Sequence, residues 1–127
     1  MLFRSDAPPP PAPPAAPTSL EEAQRLALDR LAKVVLPAFQ SGLPAGEKVA
    51  VKAPFRTRSG ASEYMWVEIG SVSGDQLVGT LLNEPWEVDG LHKGATVTLQ
   101  LADVFDYVWK RADGSREGNT TAAFLQQ

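Results

Sequence analysis

Lys48-Val49-Ala50-Val51-Lys52-Ala53-Pro54-Phe55 decides the fold class, because here the apolar pattern takes a period of two. Val49, Val51, Ala53 and Phe55 fall on one side of an extended chain, and Lys48, Ala50, Lys52 and Pro54 on the other. One face suits a core and the other suits water. Pro54 has no N–H to give a ladder, so it belongs at a sheet edge or a strand end. Working outward, Ser59-Gly60 turns the chain, and Met65, Val67 and Ile69 form one face of a second strand opposed by Tyr64, Trp66 and Glu68. Ser73-Gly74-Asp75 is the next turn signal, followed by an extended run from Leu77 to Asn83. Glu84 to Gly94 reads as a loop carrying Pro85, Gly90 and Gly94. Val97, Leu99 and Leu101 alternate with polar residues, and Phe105 to Arg111 forms a further strand closed by the hairpin turn Asp113-Gly114. Arg116 to Phe124 supplies a last, frayed strand. Short strands with hairpin-length loops predict a curved antiparallel sheet of five or six strands, a form compatible with partial closure into a barrel.

Upstream the period changes to that of a helix. Ser19 with Glu22 three residues later forms a capping box, and Glu21 suits the positive helix end. Leu20, Ala23, Leu26, Ala27, Leu31, Val34, Val35 and Ala38 recur at three and four, one apolar stripe. Arg25, Asp29, Arg30 and Lys33 lie mainly off it. Pro37 ends the helix near Leu36 or bends it there. Two strands are apolar on both faces, Tyr64 and Trp66 backing Met65 and Val67, and Phe105, Tyr107 and Trp109 backing Val104 and Val108. A sheet of that kind needs a cover, and this helix is the one amphipathic element able to supply it. The expected class is α+β, with the helix laid over the aromatic side of the sheet.

Before the helix, Ala7 to Pro17 holds seven of the chain's eleven prolines, which leaves polyproline II as the regular conformation open to it. At ~3.1 Å per residue it spans about 30 Å, a semi-rigid spacer. Residues 1–18 are therefore expected to be a disordered proline-rich arm, and residues 19–127 a single domain of about 110 residues.

Glu63-Tyr64-Met65-Trp66-Val67-Glu68, then Gly79-Thr80-Leu81-Leu82-Asn83-Glu84-Pro85, then Lys93-Gly94, then Asp106-Tyr107 follow one another in an order that resembles a bacterial family, domain of unknown function 2314. The resemblance covers roughly Lys48 to Gly118. Its most specific elements are the Met-Trp-Val strand and the Gly-x-Leu-x-Asn-x-Pro turn. The family usually follows its aspartate with tryptophan, whereas here Tyr107 follows Asp106 and tryptophan arrives at Trp109. The resemblance implies a fold and carries no agreed activity.

Composition removes several kinds of chemistry. Without cysteine the chain has no disulfide, thiolate metal site or cysteine nucleophile, and its one histidine argues against zinc. No Gly-x-Ser-x-Gly elbow, Ser-x-x-Lys pair or glycine-rich phosphate loop occurs, so no catalytic residue is assigned and no cofactor is expected. Net charge is −3, which gives no global field for nucleic acid. Lys48 and Lys52 share a strand face with no aromatic between them, so no nucleic-acid partner is expected. No run reaches the ~18 apolar residues of a membrane span. The chain as written reads as cytoplasmic, although a start further upstream would leave room for an export signal.

Two sets of candidate site residues remain. Trp86 stands on the Pro85 loop outside any apolar pattern, where large aromatics mark contact surfaces, with Asn83, Glu87 and His92 beside it. This set points to a non-catalytic module that binds a protein partner. The alternative is a small-molecule or enzymatic cleft in which Asp106 is lined by Tyr64, Trp66 and Tyr107. A carboxylate between aromatics is costly unless hydrogen-bonded, so Asp106 is either a structural acceptor for a neighbouring turn or a pocket acid with a shifted pKa. The sequence names neither the partner nor the oligomeric state.

Overall fold

The computed structural model describes residues 16–125; the proline-rich arm lies outside them up to residue 15. A first helix, α1 (Leu20–Arg30), runs into a π-helical turn (Leu31–Val35) and then a second, α2 (Leu36–Ser41). Six strands follow: β1 (Lys48–Arg56), β2 (Ser62–Ser73), β3 (Gln76–Leu81), β4 (Thr96–Gln100), β5 (Asp106–Lys110) and β6 (Arg116–Gly118). They pair antiparallel in the order β4-β3-β2-β1-β5-β6, one open sheet with β4 and β6 at its edges. The fold is α+β, and the sheet does not close into a barrel.

The helix starts as its cap demands. Ser19 Oγ accepts from Glu22 N at 3.1 Å, while the Glu22 carboxylate reaches back past Ser19 to Thr18 N at 2.7 Å. Ala23, Ala27, Leu31 and Val35, four residues apart, are buried in one row. Pro37 bends the helix instead of ending it. Proline cannot donate to the ladder and its ring crowds the carbonyl four residues back. The wider π turn just before it, closed by Leu36 N–H to Leu31 O, makes room for the ring, and helix resumes to Ser41.

Parity settles which face the helix covers. Val49, Val51 and Ala53 of β1, Met65, Val67 and Ile69 of β2, Leu77 and Leu81 of β3, Leu99 of β4, and Tyr107 and Trp109 of β5 are buried together with Leu31, Val35 and Leu36. The expected arrangement was different for Tyr64 and Trp66, which alternate with Met65 and Val67 and so lie on the opposite face. That face also carries Lys48, Lys52, Glu68 and Lys110, whose charges would lose their water under a helix. The continuous apolar face wins the cover, and Tyr64 stays 47% exposed.

Local details explain two motif residues. Gly79 faces β2 so closely that a Cβ there would meet Glu68 O at 2.1 Å, just where a register shift between Ile69 and Ser71 bends the pair. Pro54 lies near the end of β1, beyond Lys52 where pairing with β5 stops, so its missing donor breaks no ladder. The final segment departs from expectation. Only Arg116–Gly118 is strand, after which Asn119 turns with positive φ and Thr120–Phe124 forms a 3₁₀ helix.

Candidate functional site

The Gly79-Thr80-Leu81-Leu82-Asn83-Glu84-Pro85 motif ends β3 and begins the loop to β4. Leu82 N still donates to Trp66 O at 2.9 Å, but the next rung is made by a side chain, with Trp66 N donating to Asn83 Oδ1 at 2.7 Å. Asn83 therefore replaces the backbone ladder and peels the chain away from β2. The Glu63 carboxylate then accepts from two successive backbone amides, Trp86 N at 2.9 Å and Glu87 N at 3.0 Å. Arg58 N donates to Glu87 O at 3.1 Å, and its guanidinium pairs with Asp89 at 3.2 Å. Further on, Glu84 accepts from Lys93 N at 3.1 Å and lies 3.2 Å from His92 Nδ1. The Lys93 amide, then His92, holds the Glu84 carboxyl below the usual glutamate range. Gly94 N closes the loop on Leu81 O at 2.8 Å, while Val88 and Leu91 pack on the core.

A fourteen-residue connection (82–95) is thus fixed at both ends and in its middle, and Trp86 stands on it 90% exposed. Asn83, Glu87 and His92 share this loop. Asn83 is occupied with Trp66 N and His92 with Glu84, whereas the Glu87 carboxylate has no partner among the described residues. Leu82 and Tyr64 are also exposed, and both belong to the segments the loop is bonded to.

The second set does not assemble. Tyr107 faces the helix, and Tyr64 and Trp66 face the other way. Asp106 pairs with Lys52 across the sheet, on the Trp66 side, yet it is 1% exposed because the Thr120–Phe124 turn lies over it. Its Oδ1 accepts from Tyr107 N at 2.7 Å, and its Oδ2 from Thr121 N at 3.0 Å and from the Thr121 hydroxyl. The carboxylate staples the C-terminal turn to β5. That is the structural arrangement the aromatic setting of Asp106 calls for.

One cluster escaped sequence reasoning altogether. Arg30, at the end of α1 and 7% exposed, donates to Glu117 of β6 from Nε at 2.8 Å and Nη2 at 3.1 Å. Tyr107 OH donates to the same carboxylate, and Arg111 Nη2 donates to it at 3.1 Å. The Arg111 guanidinium also stacks 3.6 Å over the Trp109 ring, whose Nε1 donates to Glu47 at 2.9 Å. Burial alone would push Glu117 up, but the donors Arg30 and Tyr107 and the charges of Arg30 and Arg111 hold it below its ordinary value. Burial, then the neighbouring carboxylate, pushes the Tyr107 hydroxyl well above its own. Among the described residues no buried side-chain nitrogen or oxygen lacks a partner, so the cluster is satisfied and closed. Eighty-seven residues separate Arg30 from Glu117, and only the mild signal of one arginine next to an apolar stripe could have pointed to it.

Apart from Asp106, which the Thr120–Phe124 turn covers, the face away from the helix carries no helix over it among the described residues. It holds a concavity of about 370 Å³ floored by Trp66, Ala50 and Val108 and rimmed by Lys48, Lys110 and Arg116. Among the described residues no group of three or more histidines and carboxylates could hold a metal ion, and no helix is long and apolar enough to cross a membrane.

Comparison with known proteins gives a family. Residues 21–127 match the family described as an uncharacterized protein conserved in bacteria (DUF2314), and the chain belongs to it. No curated protein and no solved structure matches it.

Proposed function

We propose that this DUF2314 domain is a non-catalytic protein-interaction module whose contact surface centres on Trp86. One observation carries the reading: an indole 90% exposed on a loop that two amide–carboxylate bonds to Glu63 hold still. An exposed tryptophan has no folding role to keep it. On a fixed loop it loses little freedom when it binds, which is what an interface anchor needs. The Glu87 carboxylate, which has no partner among the described residues, supplies a charge next to it. Asn83 and His92 brace the loop through their bonds to Trp66 N and Glu84.

The test is capture of partners from the native bacterium by immobilised parent, Trp86→Ala and Thr98→Ala domains. Thr98 is exposed on the edge strand β4, away from the loop, and serves as the control. The reading expects a partner retained by the parent and the Thr98 variant and lost by the Trp86 variant. Equal capture by all three domains would overturn it.

A further inference from the structure

The row of cations on the sheet face away from the helix serves no purpose that the fold requires. Lys48 of β1 lies directly opposite Lys110 of β5, and Lys110 directly opposite Arg116 of β6, so three like charges stand side by side across three strands. Like charges in opposed positions destabilise a sheet. Glu68 approaches Lys48 at 3.8 Å, but among the described residues neither Lys110 nor Arg116 has an ion-pair partner. A stretch of sheet that keeps this repulsion is suited to an anion.

What lies next to the row narrows the kind of anion. Ala50 and Val108, opposite one another, form an apolar step, and beyond them Trp66 sits opposite Lys52. From Lys48 to Lys52 is four residues, roughly 13 Å of strand. Glu68, opposite Ala50, lies between the cations and the indole and is an acceptor for hydroxyl or N–H donors. The sequence of β1 alone offered no aromatic between Lys48 and Lys52; the neighbouring strand supplies it.

We infer that this concavity binds a nucleotide, with its phosphate on Lys110 and Arg116, its sugar hydroxyls toward Glu68 and its base stacked on Trp66. The volume of about 370 Å³ is at the small end for a ligand site and suits one nucleotide unit. Charge complementarity fixes the polarity, since three cations face one carboxylate there. Stacking on an aromatic beside basic side chains is how base and phosphate are recognised together. The concavity meets the Trp86 loop only at Leu82, and its proposed contacts, Lys110, Arg116, Glu68 and Trp66, all lie on strands, so it does not depend on what that loop binds.

The test is a fluorescence titration in a Trp86→Phe background, where Trp109 is buried and Trp66 reports on the face. Probes are adenosine monophosphate, guanosine monophosphate, adenosine, inorganic phosphate and a short single-stranded oligonucleotide. The expected result is saturable quenching by a nucleotide or the strand. It should be at least about tenfold weaker in Lys110→Glu with Arg116→Glu, since that reverses two ligand-facing charges. Both side chains are exposed and unpaired, so thermal melting of the double variant should match the parent. A free nucleotide that binds as well as the strand identifies a nucleotide ligand. Tighter, salt-sensitive binding of the strand identifies single-stranded nucleic acid, and either outcome supports the site. No saturable response to any nucleotide or to the strand would overturn it, as would equal binding of adenosine and its phosphate, or an unaffected double variant.

Discussion

Glu117→Gln removes one charge from the place where the helix is tied to the last strand. The Glu117 side chain is 11% exposed and receives Arg30, Arg111 and the Tyr107 hydroxyl. Glutamine keeps the shape but removes the Glu117 charge that faces Arg30, itself 7% exposed. Breaking a buried pair from one side costs about 3–5 kcal/mol, a large part of a domain's ~5–15 kcal/mol. Taking ~4 kcal/mol and an m-value of ~2 kcal/mol/M, the urea midpoint should fall by about 2 M at pH 7. Arg30→Met should cost less, because Glu117 keeps Arg111 and Tyr107. The pH dependence has a defined sign. Glu117 binds its proton more weakly in the fold than the ordinary value of 4.5, so its contribution is complete above that value. It is lost as pH falls through the lower folded value. The parent should therefore lose stability more steeply than Glu117→Gln below about pH 4.5, and the gap between them should narrow. A variant with the parent's midpoint and the parent's acid profile would refute the reasoning and leave the Arg30 tie without energetic weight.

Gly79→Ala places a Cβ 2.1 Å from Glu68 O, so β2 and β3 must separate; a loss of more than about 2 kcal/mol in thermal or urea unfolding is expected. Thr121→Val takes the hydroxyl from a buried carboxylate and should cost about 1–3 kcal/mol by urea denaturation, with faster amide exchange confined to the C-terminal turn. Leu31→Asp puts a charge at a fully buried helix position and should leave the domain largely unfolded by circular dichroism.

The elements were legible because each rests on local periodicity. Val49-Val51-Ala53 and Met65-Val67-Ile69 alternate, Ala23, Ala27, Leu31 and Val35 step by four, and both patterns appear in the structure as strand and helix faces. Trp86 stood apart from every pattern, and it is exposed. What depends on register was not legible. Whether a helix lies over Met65 or over Trp66 is decided by the whole sheet face, and β1 alone shows neither the Lys110 nor the Trp66 that pairing sets beside it. Ties between distant residues, Arg30 with Glu117 and Asp106 with Thr121, leave no periodic trace. Pro37 could end or bend the helix; the π turn that decides for a bend depends on packing of Leu31 and Val35 in the core.

The central claim is that the Trp86 loop meets a partner, and a photo-crosslinking residue placed at Glu87 tests it most directly. Glu87 neighbours Trp86, and its carboxylate holds nothing in place, so the substitution leaves the loop intact. Irradiation in the native bacterium should give a discrete adduct at position 87 that disappears when Trp86→Ala is added, and no such adduct from position 25, where Arg25 is exposed on α1. The same adducts from both positions, or an adduct at 87 indifferent to Trp86→Ala, would contradict the account.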